Sequence, residues 1–539
     1  MRKTLWIGVA TVAALVVAPE TALAGGFEFP GAGARAMGRG GALIARSDSP
    51  LTLMYDPAGL ADLGTSQLEL DASIGFLGAC MRRSGTAAPH FDPNSSGDAE
   101  VSRFGTITAA DAPAATFLGE PFPEVCNEGP PGPGAELIGT LKIGDRLGLG
   151  FGLLTPVAVG HMVWGNDDGT VNTPAGLRPS PVRYQLVEDD VILAYPTIGV
   201  GYRVTDWLRL GLSFGWGIGI FKFINYSVPN PGENPEQDIR STLSATDFFI
   251  PQINFSAHFV PIDALDVVAG FRWTDDVKAG GTTDLRYGDF GTGASPDSTI
   301  ATTTHYSDIT LDAPQPWQLY LGVRFASRIT PRPRDARAIE RLSRRVEDSM
   351  SNERWDVELD AVYETNSRVD NFVLTFPDLR PGLAIPQYNG GIGPTDPPES
   401  IIIPSPINIP HRWKDQLSLR LGGDYNVIPG LASLRLGASF ETRGVTPEYL
   451  GMDFFPVMRF GIHAGLTVRI GRTDISLAYA HFFQESITVA PPAVDSCSMS
   501  TPSGASARQI AATGIGCVVN AGTLTSHMNA LSLSGNYHF

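Results

Sequence analysis

The last nine residues alternate: Leu531, Leu533, Tyr537 and Phe539 fall on one face, and Ser532, Ser534, Asn536 and His538 on the other. Chain ends fray unless something ties them down, so a half-apolar strand that runs to a final aromatic predicts a pairing partner. In a transmembrane β-barrel the last strand pairs with the first, because an open sheet edge finds no hydrogen-bonding solvent in lipid. The fold this predicts is all-β: an antiparallel transmembrane barrel.

The other end agrees. Arg2 and Lys3 precede the apolar stretch Leu5–Ala18 and the small-residue site Ala22-Leu23-Ala24, so residues 1–24 read as a secretory signal peptide with Gly25 the first mature residue. The stretch is short for a signal anchor. Beyond it nothing approaches the roughly 18 uninterrupted apolar residues of a spanning helix. Mean hydropathy is only +0.01, so a membrane protein of this composition must hide its lipid-facing half in an alternating pattern.

Fourteen segments alternate: 66–79, 135–143, 146–155, 186–203, 207–226, 245–260, 264–275, 306–327, 353–366, 411–427, 431–444, 456–471, 473–487 and 526–539. Short turns at 144, 205, 262, 429 and 472 alternate with long connections at 80–134, 156–185, 227–244, 276–305, 367–410, 445–455 and 488–525. An even strand number with short periplasmic turns and long external loops is the bacterial outer-membrane pattern. The exception is residues 331–352, where a short turn is due. There Ile339, Leu342, Val346 and Met350 fall near helical spacing, which reads as a basic amphipathic helical insertion on the periplasmic side.

The strand faces carry the functional signal. In 207–220 Leu208, Leu210, Leu212, Phe214, Trp216, Ile218 and Ile220 point outward, and Trp207, Arg209, Gly211, Ser213, Gly215, Gly217 and Gly219 inward. Inward glycines leave lumen volume, to be filled by the 41 mature residues before the first strand, by a ligand, or by both. Arg324, Arg420, Arg435 and Arg459 point inward and suit carboxylate recognition. Asp356, Glu358, Asp360, Asp424 and Glu441 also point inward, so these charges are expected mainly to pair with one another.

Within that leading segment, Gly33-Ala-Arg-Ala-Met-Gly-Arg-Gly-Gly-Ala42, Ala45-Arg-Ser-Asp-Ser-Pro50 and Met54-Tyr-Asp-Pro-Ala-Gly-Leu60 resemble the hatch of the FadL/TodX outer-membrane transporters of long-chain fatty acids and hydrophobic compounds. The resemblance extends to 195–212, 316–325 and much of 411–485. It implies a fourteen-stranded barrel (65–539) plugged by an N-terminal hatch (25–64), in which Arg35, Gly38, Arg39, Gly40, Gly41, Asp56, Pro57 and Ala58 are hatch residues. The family usually has Asn-Pro-Ala where this chain has Asp56-Pro57-Ala58. The bend survives that exchange, while the added carboxylate mildly favours neutral ligands or a shifted pose, with long-chain fatty acids, aromatic hydrocarbons and other lipids all open as ligands. The family releases ligand sideways where strand three is kinked inward. Here that strand carries inward Gly148, Gly150 and Gly152 and then Pro156, which cannot donate a ladder hydrogen bond. Those glycines equally make room for the hatch.

The implied function is passive transport of a hydrophobic small molecule by a monomer in the outer membrane, with neither cofactor nor metal. The net charge of −17, −18 once Arg2, Lys3 and Glu20 leave, argues against a nucleic-acid partner. Cys80 with Cys126 and Cys497 with Cys517 form sequence-local pairs, and in an exported protein an even count favours disulfides. Two other classes are weighed. A lipase-like barrel would use a histidine such as inward His463, yet no nucleophile elbow, H-E-x-x-H or Cys-x-x-Cys accompanies it. An adhesin or structural barrel would explain the long loops but not the hatch or the inward glycines. Asn166–Gly169 could bind calcium and is more simply a polar turn.

Overall fold

The structure is a computed structural model that describes residues 31–85, 120–155, 161–227, 239–287, 303–329, 348–376, 383–386, 400–403, 405–490 and 520–539. The expected leader, Pro156, Cys497, Cys517 and most of the 331–352 insertion lie outside the described residues. Fourteen strands form the wall: β1 (Gln67–Arg83), β2 (Gly132–Ile143), β3 (Leu147–Leu154), β4 (Glu188–Arg203), β5 (Leu208–Ser227), β6 (Ile239–Ile262), β7 (Leu265–Thr274), β8 (Gln318–Arg328), β9 (Glu353–Glu364), β10 (Gln416–Ile428), β11 (Ala432–Glu441), β12 (Arg459–Ile470), β13 (Thr473–Gln484) and β14 (Gly522–His538). Each pairs antiparallel with the next. β14 closes the sheet on β1 in a continuous register from Gln67 opposite His538 to Arg83 opposite Gly522.

Period-2 alternation decides what faces out. Along β1, Leu68, Leu70, Ile74 and Phe76 are exposed, while Gln67, Glu69 and Asp71 are buried. The same pattern recurs in β12, where Phe460, Ile462, Leu466 and Val468 are exposed beside buried His463 and Thr467. Ile198 is 64% exposed and Leu436 71%. Large aliphatic side chains this exposed, in a belt around a closed sheet, are at home only against lipid chains, and the barrel spans a membrane. None of the described helices is long and apolar enough to cross one.

One wall segment departs from the expected pattern. The stretch 306–327, read as a single strand, is broken at 314–317, where Pro314 and Pro316 cannot donate ladder bonds. Thr303–Ala313 instead pairs with Val277–Tyr287, which lies inside the expected loop 276–305. That hairpin is flanked by the upper half of β6 on one side and, on the other, by Asn371–Thr375 and then Ile407–Pro410. The barrel wall is thus extended beyond the membrane on one side by strands from three expected loops. Trp207, expected inward, is 53% exposed in the β4–β5 turn and stacks on Phe259 of the outward face of β6. The turn releases it from the strand alternation.

At the long-loop end Cys80 and Cys126 form a disulfide, joining β1 to the short strand Glu124–Cys126. A second apolar cluster roofs that end: Trp164 is fully buried, and its indole N–H donates to the Met452 carbonyl at 3.1 Å. At the short-turn end the helical turn Ser349–Asn352 sits under the lumen, where Asn426 Nδ2 donates to the Ser349 carbonyl at 2.9 Å.

Candidate functional site: the lumen and the segment inside it

Residues Ala34–Leu63 lie buried within the ring of strands. Two short helices, α1 (Ala34–Gly38) and α2 (Thr52–Tyr55), and a 3-10 turn (Pro57–Asp62) account for only half of this segment. So short a set of elements leaves many peptide groups without partners, and buried peptide groups must find them. Side chains of the wall supply them. Asp71 accepts from Ala34 N–H at 2.9 Å, Asp360 from Leu43 and Ile44 N–H at 3.0 Å each, and Glu358 from Ala45 N–H at 2.5 Å. Asn254 and Arg272 both donate to the Met54 carbonyl, each at 3.0 Å.

The first half is bound by charge. Arg39, fully buried, meets Asp356 at 2.9 Å, Asp424 at 2.6 Å and Glu358 at 2.8 Å. Arg35 reaches Asp474 at 2.6 Å and Asp48 at 3.4 Å, and Arg46 bridges Asp48, Asp356 and Asp424. Gly40 and Gly41 turn the chain here with φ of +71° and +81°, a conformation that side chains resist. A Cβ on Gly40 would also stand 2.8 Å from the Ala438 backbone, and one on Gly38 3.0 Å from the Gly465 Cα.

The second half is bound mainly by shape, with Asp62 at its end paired to Arg203 at 2.6 Å and Arg209 at 2.7 Å. A Cβ on Gly150 would meet Leu53 Cδ1 at 3.0 Å and Leu60 Cδ2 at 3.2 Å, and one on Gly148 would strike the Leu60 carbonyl. Gly199, Gly201 and Gly211 are taken up in the same way by Leu53, Pro57 and Ala58. Gly152 differs, because its nearest neighbours belong to β2. Asp56 caps the 3-10 turn, accepting from Ala58 N–H at 3.2 Å. Its carboxylate also accepts from Ser256 Oγ at 2.6 Å and faces His258 Nδ1 at 2.8 Å.

The inward arginines are committed. Arg324 joins Asp266, Glu353 and Asp356; Arg435 meets Asp424 at 2.9 Å; Arg459 pairs with Glu441. Arg420 Nε donates to Ser418 Oγ at 3.0 Å. Sequence reasoning placed the wall acids opposite these wall arginines and missed Arg39 and Arg46 as their partners. It also missed His258, although an Asp in place of the usual Asn implies a compensating cation nearby.

Toward the long-loop end the lumen is apolar. One contiguous cluster runs from Phe372, Leu374 and Trp413 through Ile309, Leu311 and Phe221 to Leu53 and Leu60. The motifs and histidines weighed for an enzyme are placed as follows among the described residues. Gly211-Leu212-Ser213-Phe214-Gly215 has the G-x-S-x-G spelling but runs through the middle of β5, not a strand-to-helix turn. Ser47 Oγ stands 3.5 Å from His258 Nδ1, a nitrogen already engaged by Asp56. His463 Nε2 faces Ser439 Oγ at 2.9 Å. Asn166–Gly169 closes on itself, with Asp168 accepting from Thr170 N–H and Oγ.

No protein-family description matches this sequence, and no curated protein matches it. Solved structures do. A Pseudomonas aeruginosa FadL homologue superposes with a TM-score of 0.63 at 14% identity, covering 96% of this chain and 100% of that one. The Pseudomonas putida toluene transporter TodX gives 0.57 at 13% identity, over 95% and 98%. The CymD monoaromatic hydrocarbon channel gives 0.54 at 12%, over 95% and 99%. This chain has the fold those three share.

Proposed function

We propose that this protein is a passive outer-membrane channel of the FadL/TodX kind for small hydrophobic molecules, working as a monomer, with residues 25–64 as its hatch. The observation that carries the reading is the unbroken apolar cluster from the long-loop extension down to Leu53 and Leu60. Burial along such a path favours any apolar solute over water, and the path ends on a segment seated against the wall rather than on bulk solvent. Exit is lateral, beside β3. Here inward Gly148 and Gly150 present no side chain, and Leu53 and Leu60 fill the space they leave, so movement of those two leucines uncovers bare backbone of the wall. Loops of the long-loop end capture the solute, and the residues from Leu51 to Leu63 give way to pass it. With no energy source in the chain, flux follows the gradient.

The ligand is neutral. At Arg324, Arg435 and Arg459 a carboxylate headgroup would have to displace Asp356, Asp424 or Glu441, Arg420 already donates to Ser418, and Asp56 would repel it. The test is uptake of labelled toluene and labelled palmitate into proteoliposomes carrying the full chain. Toluene entering well above empty liposomes, with palmitate far behind, supports the reading. Palmitate entering as fast as toluene would overturn the neutral preference, and entry of neither through folded barrels would overturn transport itself.

A further inference from the structure

The wall grips the second half of the segment by charge at two points, Asp62 at its end, paired with Arg203 and Arg209, and Asp56 at its bend, where His258 lies. Its ring stands between two carboxylates, with Nδ1 2.8 Å from Asp56 Oδ2 and Nε2 3.2 Å from Asp266 Oδ1. All three side chains are almost wholly buried. Each acid is tied to donors of its own. Asp56 accepts from Ser256 Oγ, Ala58 N–H and, at 3.3 Å, Ser47 Oγ, while Asp266 faces Arg324 Nη1 at 3.3 Å. Both are thereby held as acceptors. A neutral imidazole donates at one nitrogen and turns a lone pair to the other, so only the imidazolium satisfies both contacts.

The other charged and titratable neighbours come from every packed element. Arg209 of β5 stands in register opposite His258 and is paired with Asp62 at 2.7 Å. Arg272 of β7 donates to the Met54 carbonyl, and Tyr320 of β8 donates to Asn254 at 2.6 Å. Each has its own engagement, so Asp56 and Asp266 remain the acids that face the ring.

We infer that His258 is a positioning residue that seats the Asp56 turn on the wall, and that this seating depends on the proton the imidazole carries between Asp56 and Asp266. The inference rests on the reading that residues 51–63 give way during passage, and it names what regulates that step. Loss of the proton turns one charge-assisted contact into a lone pair facing a carboxylate, which frees the Asp56–Ala58 bend while Arg35, Arg39 and Arg46 keep the first half in place. The compensation is reciprocal. An Asn at position 56 would need no cation, so His258 answers the carboxylate this chain has there.

Hydrogen exchange of the full-length barrel in detergent micelles, corrected for intrinsic rates, tests this between about pH 6 and about pH 10, the side on which an imidazolium is lost. In the wild type, protection of the 51–63 amides should fall roughly tenfold or more relative to the 34–46 amides as pH rises. His258→Gln should lose that protection across the whole range. The double variant Asp56→Asn with His258→Gln should regain it and show no pH dependence, which a packing role alone would not give. Wild-type protection of 51–63 that stays flat with pH, or a double variant no better seated than His258→Gln, would overturn the inference. Because exchange is read without any ligand, failure of the toluene uptake above leaves this result standing, and the reverse also holds.

Discussion

Arg35, Arg39 and Arg46 hold the first half of the lumen segment to wall carboxylates 2.6 to 3.2 Å away, on strands more than three hundred residues distant in sequence. A few residues further on, Leu53 and Leu60 touch little more than glycine-lined strands, and charge grips this half at two places, His258 on Asp56 and, at its far end, Arg203 and Arg209 on Asp62. The two halves of one short segment therefore answer displacement differently. Moving the first half strands several buried charges at once, and each stranded charge is costly. Between its two charged anchors at Asp56 and Asp62, moving the second half exchanges the apolar contacts of Leu53 and Leu60 for apolar contact with whatever solute takes their place. An obstruction built this way can open on one side without leaving the barrel, and the proposed exit puts that side against β3.

The sharpest break of that contrast is Arg39→Met. It leaves Asp356, Asp424 and Glu358 facing one another in a buried site, and removing one partner of such a network costs about 3–5 kcal/mol. The expected outcome is a lowered urea midpoint for the folded barrel, together with lost protection of the 34–46 amides. An unchanged midpoint would mean that charge does not hold this half.

Leu60→Ala attacks the other half. Leucine-to-alanine changes in packed sites cost about 2–5 kcal/mol, and Leu60 is 2% exposed. Since Leu60 belongs to the segment and not to a paired strand, the loss should appear as faster exchange of residues 51–63 with little change in wall unfolding. Toluene entry should rise in the same variant. Equal loss of protection in 34–46 would show that the halves move together. Gly150→Val is the opposite perturbation. Added methyl groups must push against Leu53 and Leu60, an overpacking worth about 1–3 kcal/mol. The variant should slow toluene entry while the barrel keeps its urea midpoint; entry at the wild-type rate would place the route away from β3.

Much of the wall was legible because lipid imposes period-2 alternation on every strand that crosses it. The stretch from Leu208 to Ile220 could be assigned residue by residue, and the final strand announced its pairing with the first. The rule lapses where lipid ends. Val277–Tyr287 and the start of Thr303–Ala313 stand above the belt with polar outer faces, so Thr282, Asp284 and His305 read as loop. Trp207 was misplaced for the same reason, since a turn residue is free of its strand's alternation. The lumen was harder still. Charge could be seen, but which arginine meets Asp356 depends on a segment over three hundred residues away folding back inside the barrel, and no local spacing encodes that.

The smallest expected effect lies outside the lumen and tests whether the fastenings of the molecule are separable. His411 Nε2 faces Asp453 Oδ2 at 2.9 Å, and the ring packs 4.1 Å from Phe372, tying the 445–457 stretch to the start of β10. Burial works to raise the Asp453 carboxyl, but His411 and nearby backbone N–H groups outweigh it and hold it below the usual carboxylate range. A depressed native value contributes stability that is complete above the unfolded value, about pH 4, and is lost as pH falls through the lower native one. Acidification below that point should therefore speed exchange of the 445–457 amides, and Asp453→Asn should remove the pH dependence. Residues 34–46 should keep their protection at the onset of this loss. If instead they loosen in step with 445–457, the roof and the charged half form one cooperative unit, and the independence drawn between the two halves of the segment would have to be redrawn between the whole lumen and the wall.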